Sequence, residues 1–448
     1  MLASRTSSFT SRLLQSLRPA HYLRMSATVA AEESPGLPQK RPHEDGDTQE
    51  DVQGKKPRPE FQRIKRRKYA VLICYSGQGY LGLQRNPGMK TIEEDLLKAW
   101  LEAGVITDEA FANAKAIEFQ RAARTDKGVS AVRQILSAKL PLEVNVEAVN
   151  QHLPEQIRMV ALKRATKGFN CKGNADARTY SYMMPSFALA SKDDLISPDY
   201  RITKETLDRT NQVLSIYLGT HNYHNFTSKK SFADPSANRY IIKMSCDEPV
   251  VCEGMEFVTV YVKGQSFMLH QIRKMVGLAI AVVRGCCSES VISKAWAEEK
   301  LDIPIAPGLG LVLEEVHYDR YNQRYGSDGM HEAIEWSSVK PTLDDFKHKF
   351  ILTSIVRTEK EENSMKSWLE TLPMHTFDIR KAHRQHALSA ENGGNEDNED
   401  EVEEDGIKEK SEETSTIIKN NAEDSSKTNG TVLEEVSKLE EKSDEAKS

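Results

Sequence analysis

Short apolar segments separated by amphipathic ones occur twice along this chain of 448 residues, once before and once after residue 190. The first apolar segment, residues 69–75, ends at a Ser-Gly pair, and its length is that of a buried strand rather than a helix. Each pass continues with a helix and a further strand. A chain with this order packs helices against a sheet, so the sequence predicts an α+β protein with two similar halves.

Local signals place the predicted elements. Thr91 and Glu94 form a Ser/Thr-x-x-Glu capping box, which opens a helix that Gly104 ends. The apolar face of this helix consists of Ile92, Leu96, Ala99 and Trp100. Further strands are predicted near 117–119 and over 132–140, 179–184, 240–245, 257–262 and 311–317, and further helices over 204–218 and 267–283.

The charge of the chain is unevenly distributed. Residues 391–448 contain 20 acidic residues and seven lysines, a net charge of −13, whereas the whole chain has a net charge of −6. The remainder therefore carries +7, which suits a polyanionic partner such as a nucleic acid. The acidic segment has the composition of a disordered tail.

The N-terminal region carries two kinds of targeting signal. Residues 1–31 are rich in arginine and serine and contain no acidic residue, a composition typical of a mitochondrial presequence. Initiation at Met25 would remove this segment and favour the nucleus. The basic clusters at 55–58 and 65–68 are typical of a nuclear import signal or an RNA-contacting arm, although a solvated linker has the same composition. We therefore predict localisation to the nucleus and the mitochondrion.

Neither a metal site nor a membrane segment is predicted. The six cysteines include no Cys-x-x-Cys pair, which favours a reducing compartment. A zinc site would need His221 and His224 with a cysteine, but their spacing fits no standard finger, and structural histidines are the preferred interpretation. The longest apolar segment, around 275–283, is much shorter than the ~20 residues of a membrane span.

Residues 121–129 place one carboxylate, Asp126, among three cations and beside Gly128. Nearby positive charge lowers the pKa of a carboxyl group, and glycine allows a sharp turn. Asp126 is therefore predicted to be an ionised aspartate that a loop presents for a chemical role. A solvated turn without chemistry has the same local sequence.

Three longer motifs give this loop a context. They are Arg-Thr-Asp-Lys-Gly-Val at 124–129, Ala-Arg-Thr-Tyr-Ser-Tyr at 177–182 and Gly-Gln-Ser-Phe-Met-Leu-His-Gln-Ile-Arg-Lys-Met-Val-Gly at 264–277. Supporting matches occur in family order at 84–88, 91–93, 219–227 and 306–311. Over about residues 69–321 the chain resembles the TruA family of tRNA pseudouridine synthases, and it is most similar to the eukaryotic nuclear and mitochondrial branch.

The resemblance implies the fold and a division of the chain. The family has two α+β subdomains whose sheets form one continuous mixed, largely antiparallel sheet, with helices outside and a basic cleft between the halves. The predicted segments are a presequence-like region at 1–31, a disordered basic linker at 32–68, N-terminal and C-terminal catalytic subdomains at 69–190 and 191–321, a helical extension at 322–390 and a disordered acidic tail at 391–448. Trp336 and Trp368 indicate that the extension packs on the body.

The resemblance also assigns roles to three side chains. Asp126 is the nucleophilic or charge-stabilising carboxylate, Tyr180 lies against the flipped base, and Arg273 pairs with Asp126 through two parallel hydrogen bonds. The Tyr180 hydroxyl is a candidate for removing the C5 proton, whereas Tyr182, on the same face of the strand, is interpreted as a core residue. An arginine that only ties two elements together is the alternative for Arg273.

Six further residues of these motifs are predicted to contact or orient the substrate. Arg121, Arg124, Lys127 and Arg178 are candidates for phosphate contacts, and a structural role is the alternative for each. A helix over 267–283 would place His270, Lys274 and Gly277 on one polar face close to Asp126.

The predicted activity is conversion of uridine to pseudouridine in tRNA, including the anticodon stem region, with mRNA or small nuclear RNA as further partners. This reaction breaks the N1–C1′ bond, rotates the uracil and joins C5 to C1′, so it needs no redox cofactor, nucleotide or metal. Attack at C1′ and a glycal route both stay open. The alternative is a non-catalytic RNA-binding or chaperone protein, which would have no use for a carboxylate facing an anionic ligand. A metal-dependent nuclease would need further acidic ligands near Asp126.

Overall fold

A ten-stranded sheet runs through the residues that the computed structural model describes, 65–228 and 230–379. These residues belong to the second of two units into which the chain divides, 1–63 and 64–448. The predicted presequence, the 55–58 cluster and the acidic tail lie outside the described residues, so their roles and boundaries stay predictions.

The sheet is mixed and largely antiparallel. Its strands are β1 (Arg66–Tyr75), β2 (Gln120–Arg121), β3 (Ser130–Pro141), β4 (Ile157–Arg164), β5 (Ala177–Pro185), β6 (Gly219–Asn222), β7 (Asn238–Cys246), β8 (Val250–Cys252), β9 (Met255–Gly264) and β10 (Leu311–His317). Across the sheet their order is β4-β1-β3-β10-β5-β9-β7-β6, with β2 paired to β3 and β8 to β9. Among these strands β3 and β10 pair in parallel, and the other pairs are antiparallel. The predicted α+β class and the mixed, largely antiparallel sheet are confirmed.

Helices cover this sheet and complete the body. They are α1 (Ile92–Glu102), α2 (Asp108–Ala112), α3 (Val146–Gln151), α4 (Lys204–Ser215), α5 (Gln271–Val283), α6 (Ser290–Lys294), α7 (Asp319–Tyr325), α8 (Lys340–Phe346), α9 (Thr353–Glu362) and α10 (Ser364–Leu369). Thr91 is the N-cap of α1, and its hydroxyl accepts a hydrogen bond from the Glu94 amide at 3.4 Å, a contact typically worth about 1 kcal/mol. The predicted apolar face of α1 is buried, including Trp100 at 0% exposure.

The last strand of the sheet, β10, lies between β3 and β5 and joins the strands on its two sides. Its contact with β3 is short, because only Val312 and Leu313 pair with Ser130 and Ala131. By sequence position β5 falls in the predicted first half, yet it pairs with β9 and β10. Three segments converge at this junction: the turn that precedes β3, the middle of β5, and the start of α5, which follows β9.

Two predictions at the N-terminal side of the body need correction. The sheet begins at Arg66 rather than at residue 69, and the buried Lys68 forms an ion pair with Glu118 at 3.2 Å, so residues 66–68 are not part of a disordered linker. The strand predicted near 117–119 is wrong. Ala114–Ile117 forms a 3-10 helix, and Glu118 has a left-handed backbone with φ of 50°, which an extended strand does not permit.

Two predicted helices are shorter than expected. The helix predicted over 267–283 begins at Gln271, because His270 has a left-handed backbone with φ of 60° and cannot continue a right-handed helix. The helix predicted over 204–218 ends at Ser215.

The C-terminal extension is helical as far as the structure describes it. A π-helical segment, Lys347–Leu352, continues α8 into α9. Trp336 is 7% exposed, and Trp368 is partly buried against the core. Both tryptophans therefore pack on the body, as their apolar rings predict.

The cysteines, His221 and His224 occupy structural positions. All six cysteines lie in the described residues, and none of them forms a disulfide. His221 stacks on Trp296 with ring centres 3.7 Å apart, and the buried His224 contacts the Glu298 carbonyl at 3.2 Å. No group of three or more potential metal ligands occurs among the described residues. Within the same ranges, no helix combines the length and the apolar character that a bilayer crossing requires.

Candidate active site

Asp126 lies in a tight turn, residues 125–128, that connects β2 to β3. The Val129 amide donates to the Asp126 carbonyl at 3.1 Å and closes the turn, and Gly128 supplies a left-handed residue with φ of 76°. Because glycine adopts this conformation without strain, the sequence Asp-Lys-Gly fixes the local direction of the chain. We call residues 125–128 the catalytic turn. Its backbone conformation is determined by its own local sequence.

A second loop, residues 76–83 between β1 and α1, supports the catalytic turn from behind. A Cβ atom at Gly77 would lie 2.4 Å from the Val129 carbonyl oxygen, so only glycine permits this approach of the two backbones. The Gly128 amide donates to the Tyr80 carbonyl at 3.3 Å. We refer to residues 76–83 as the support loop, since its backbone bears directly on the catalytic turn.

Two basic side chains from the opposite wall face Asp126. Its Oδ2 atom lies 3.8 Å from His270 Nε2 and 4.0 Å from Arg273 Nη1. The guanidinium of Arg273 is anchored by its Nε, which donates to the Ala306 carbonyl at 2.7 Å. The expected pair of parallel hydrogen bonds between Arg273 and Asp126 is wrong, because their 4.0 Å separation is longer than a hydrogen bond.

His270 stands outside the helix that was predicted to carry it. It is the N-cap residue of α5, and only Lys274 and Gly277 of the predicted polar face lie within the helix. Its Nδ1 atom is buried and has no hydrogen-bond partner among the described residues. The left-handed backbone turns this imidazole toward Asp126, which a continuous helix would not do.

Burial dominates the electrostatics of these groups. The Asp126 side chain is 21% exposed, and burial raises the pKa of its carboxyl group, although His270 and Arg273 act in the opposite direction. The prediction of a lowered pKa is thus wrong in direction, because loss of solvent outweighs the effect of the two basic neighbours. Burial also lowers the pKa of His270, which favours a neutral imidazole beside the carboxyl group.

A cavity of about 360 Å³ opens beside Asp126, and its lining includes Tyr180, His270 and Arg273. Tyr180 is 7% exposed, and its ring meets Phe267 edge to face with centres 5.4 Å apart. This contact fixes the ring as an apolar part of the cavity lining. Burial raises the pKa of the Tyr180 hydroxyl far above its usual value.

Tyr182 follows Tyr180 on the same face of β5 but points into the protein. It is 1% exposed, and its hydroxyl donates to the Pro307 carbonyl at 2.8 Å. Its position agrees with the interpretation as a core residue.

Two of the predicted phosphate-binding arginines are occupied by contacts within the protein. Arg121 forms an ion pair with the buried Glu93 at 2.8 Å. Arg178 is 8% exposed, and its guanidinium donates to three backbone carbonyls, those of Ala122, Lys172 and Gln265. This geometry supports a positioning role for both arginines rather than phosphate binding.

The other predicted cations are placed differently. Arg124 is exposed and lines the cavity, and Lys127 is exposed on the catalytic turn. Lys274 is partly buried, and its ammonium donates to the Asn225 carbonyl at 3.0 Å. Arg124 and Lys127 are therefore the two predicted phosphate-contacting cations that are exposed.

Some contributors to the site were not identified from the sequence. Phe267 and Ala306 lie in motifs that were recognised, but their contacts with Tyr180 and Arg273 depend on how distant segments pack. The support loop gave a weaker signal. Its three glycines, at 77, 79 and 82, indicate a turn but not what the turn contacts.

Comparison with known proteins identifies the family of the chain. A family model described as tRNA pseudouridine synthase matches residues 213–319. The chain is 52% identical over 320 residues to the pseudouridylate synthase 1 homolog of Mus musculus, covering 70% of this chain and 76% of that protein. It is 52% identical over 312 residues to the Homo sapiens protein of the same name, with 68% and 73% covered. It is also 32% identical over 400 residues to tRNA pseudouridine synthase 1 of Yarrowia lipolytica, with 70% and 76% covered. The chain belongs to the tRNA pseudouridine synthase family.

Proposed function

We propose that this chain converts uridine to pseudouridine in tRNA, and that the reaction takes place in the cavity beside Asp126. The observation that carries this proposal is the convergence of Asp126, Tyr180 and Arg273 on one cavity from three separate segments of the chain. A carboxyl group, an apolar ring and an anchored cation are what a cofactor-free isomerisation of a nucleoside uses. A protein that only binds RNA would gain nothing from a carboxylate in this position.

The chemistry is an exchange of one bond to the ribose for another. The N1–C1′ bond breaks, the uracil turns within the cavity, and C5 bonds to C1′. The proton on C5 is then lost and N1 gains one, so atoms and electrons balance without an oxidant or reductant. Asp126 acts either by attack at C1′ or by assisting a glycal route, and both use the same carboxylate.

A uridine in a stem reaches the cavity only after it flips out of the helix, which costs a few kcal/mol. Stacking on the Tyr180 ring offsets part of this, since one base on an aromatic side chain is worth about 1–3 kcal/mol. The cavity of about 360 Å³ lies in the range that encloses small ligands, about 300–1,000 Å³.

The Tyr180 hydroxyl is assigned to the late proton transfer at C5. Since its pKa is raised, it is protonated at neutral pH and can take up the C5 proton only by passing its own proton on. His270, whose neutral imidazole lines the same cavity 3.8 Å from Asp126, is the candidate acceptor for that proton.

Shape rather than base sequence selects the substrate, because an A-form helix hides its base edges. Arg124 and Lys127 hold the backbone of tRNA, including the anticodon stem region, and mRNA or small nuclear RNA are further partners.

The strands on the two sides of the β3–β10 contact form two subdomains, with a basic cleft between them. The enzyme acts in the nucleus and the mitochondrion. The +7 net charge of the chain outside the acidic tail supports an RNA-binding role.

The test is to incubate the purified chain with tRNA transcripts in the absence of any cofactor and to analyse the nucleosides. Pseudouridine should form with the parent and not with Asp126→Asn. RNA binding without product by the parent would support the alternative, a non-catalytic RNA-binding or chaperone protein.

A further inference from the structure

Among the described residues, the side-chain hydrogen bonds between the C-terminal extension and the support loop are made through Gln78. Gln78 lies at the centre of the support loop and is half-buried. Its Oε1 accepts a hydrogen bond from the Ser354 hydroxyl at 2.6 Å, and its Nε2 donates to the Thr358 hydroxyl at 3.1 Å. Both partners are on α9, four residues apart and thus on one face of the helix. The Gln78 amide is therefore held at both ends by the same helix.

The backbone of Gln78 is fixed as well. Gln156 donates from its Nε2 to the Gln78 carbonyl at 2.9 Å and to the Ser76 carbonyl at 3.3 Å. The neighbouring Gly77 has its backbone against the Val129 carbonyl, which belongs to the residue that closes the catalytic turn. A displacement of α9 would therefore be transmitted to the catalytic turn through Gln78 and Gly77 of the support loop.

The same helix also supports the opposite wall of the cavity. Ile355 and Glu359 of α9 line one small pocket together with Tyr182 and Pro307. Tyr182 donates to the Pro307 carbonyl at 2.8 Å, one residue after the carbonyl that anchors Arg273. Thus α9 bears on the segment that holds Arg273 as well as on the loop that holds Asp126.

We propose that α9 is a positioning element of the active site and that Gln78 is the positioning residue through which it holds the catalytic turn. Asp126 and Arg273 lie on different walls, 4.0 Å apart, and α9 is packed against the support of both. A helix in this position sets the separation of the two walls. The inference rests on the proposed function, because it concerns the rate of the same reaction.

The test compares variants that break the two ends of this contact. Gln78→Ala and the pair Ser354→Ala with Thr358→Val should each lower the single-turnover rate at saturating tRNA by about tenfold or more, since a misplacement of about 1 Å can reduce a rate by about a hundredfold. Their affinity for tRNA should not change. The combined triple variant should be no slower than Gln78→Ala, because both sets remove one interaction.

A matched control is Asn322→Ala. Asn322 makes an equivalent two-ended amide contact, accepting from the Ile334 amide at 2.7 Å and donating to the Ile334 carbonyl at 3.3 Å. Within the part of the chain that the structure describes, it forms no hydrogen bond with either wall. It should lower the melting temperature but leave the saturated rate, measured well below that temperature, unchanged. This separates positioning from general stability.

A rate equal to that of the parent in Gln78→Ala would overturn the inference, and so would an equal loss in Asn322→Ala. If Gln78→Ala does not fold, the single-turnover rate of Thr358→Val tests the inference instead. This variant removes one hydrogen bond and keeps the shape of the side chain. A parent that forms no pseudouridine would overturn the proposed function and this inference together.

Discussion

At the scale of the residue, the surroundings of Asp126 do not favour its charged form, and this lowers the stability of the fold. Burial opposes its charge, and neither basic neighbour approaches closer than 3.8 Å. Since a buried carboxylate with such distant partners is poorly compensated, the fold is less stable for carrying it. This is expected of a group that is retained for reactivity, because it is poised to interact with a substrate rather than with the protein.

Asp126→Asn should abolish pseudouridine formation, by at least about a thousandfold, while tRNA still binds. The amide keeps the shape and can still form hydrogen bonds, but it cannot act as a nucleophile or stabilise positive charge. Because burial raises the pKa of Asp126, the loss of the charge should leave the melting temperature unchanged or higher at neutral pH. Nucleoside analysis, filter binding and thermal unfolding of both proteins check the three expectations. Substantial activity in the variant would remove Asp126 from the mechanism.

Tyr180→Phe and Tyr180→Ala separate the ring from the hydroxyl. Phenylalanine keeps the edge contact with Phe267 and the stacking surface, so tRNA affinity should match the parent, while product forms slowly or the reaction stalls after glycosidic cleavage. Alanine should lose affinity as well, and a cavity in place of the ring should reduce stability by about 3–5 kcal/mol. Single-turnover product formation beside tRNA affinity gives the comparison. Full activity of the Phe variant would show that the hydroxyl takes no part, and full activity of the Ala variant would rule out Tyr180 altogether.

At the scale of the element, α5 contributes to the site through its first turn. The helix begins one residue after the left-handed His270, so the imidazole and the guanidinium of Arg273 leave the chain in different directions yet meet at the same carboxylate. Gly277, further along α5, allows the segment at 304–306 to pack closely, since a Cβ atom there would lie 2.6 Å from the Pro304 carbonyl oxygen. The position of Arg273 therefore depends on the helix and on the segment packed against it.

Arg273→Lys should reduce the rate severely, by about a hundredfold, with the helix intact. A single ammonium group cannot both bind the Ala306 carbonyl and face Asp126, whereas a planar guanidinium can do both. The matched control is Arg284→Lys at the other end of α5, where the guanidinium donates to the Phe187 carbonyl at 3.1 Å. Steady-state rates and far-ultraviolet circular dichroism are the measurements. Near-normal turnover of Arg273→Lys would leave Arg273 as a structural tie only.

At the scale of the whole molecule, the parallel contact between β3 and β10 joins the two parts of the open sheet and brings distant segments together. The C-terminal extension packs on this assembly, and Ile355 and Glu359 of α9 line a small pocket together with Tyr182 and Pro307. One residue of that extension, Glu359, is 3% exposed, and its carboxylate accepts from the Met365 amide at 2.9 Å. Burial raises its pKa to about 7 from an ordinary value of 4.5.

The raised pKa of Glu359 makes stability depend on pH. Between pH 4.5 and about 7 the unfolded chain loses this proton while the folded protein keeps it, so stability falls as pH rises, by roughly 3 kcal/mol in all. Glu359→Gln should flatten this slope and be more stable than the parent at pH 8. Urea unfolding at pH 5, 6, 7 and 8 measures it, and Glu361→Gln, at an exposed position of the same helix, is the control. Parallel curves for Glu359→Gln and the parent would contradict the prediction.

Local interactions were predictable from the sequence, because they act between residues a few positions apart. The capping box at Thr91, the glycine turn after Asp126 and the apolar strands depend on backbone preferences and on spacing, which a single sequence contains. The motifs also indicated which side chains meet, since they were read together with a family resemblance.

What the sequence could not supply depends on contacts between distant segments. Gln78 forms hydrogen bonds with Ser354 and Thr358, which lie 276 and 280 positions further along the chain. The Arg178 guanidinium donates to backbone carbonyls up to 87 positions away. The direction of the pKa shift of Asp126 was predicted wrongly for the same reason. Neighbouring charge is visible in a sequence, whereas burial is a property of the assembled fold. The left-handed His270 likewise breaks a helix that its sequence permits. Interactions between residues close in sequence therefore determined the helices and strands of this protein, and packing between distant segments determined the chemistry of its site.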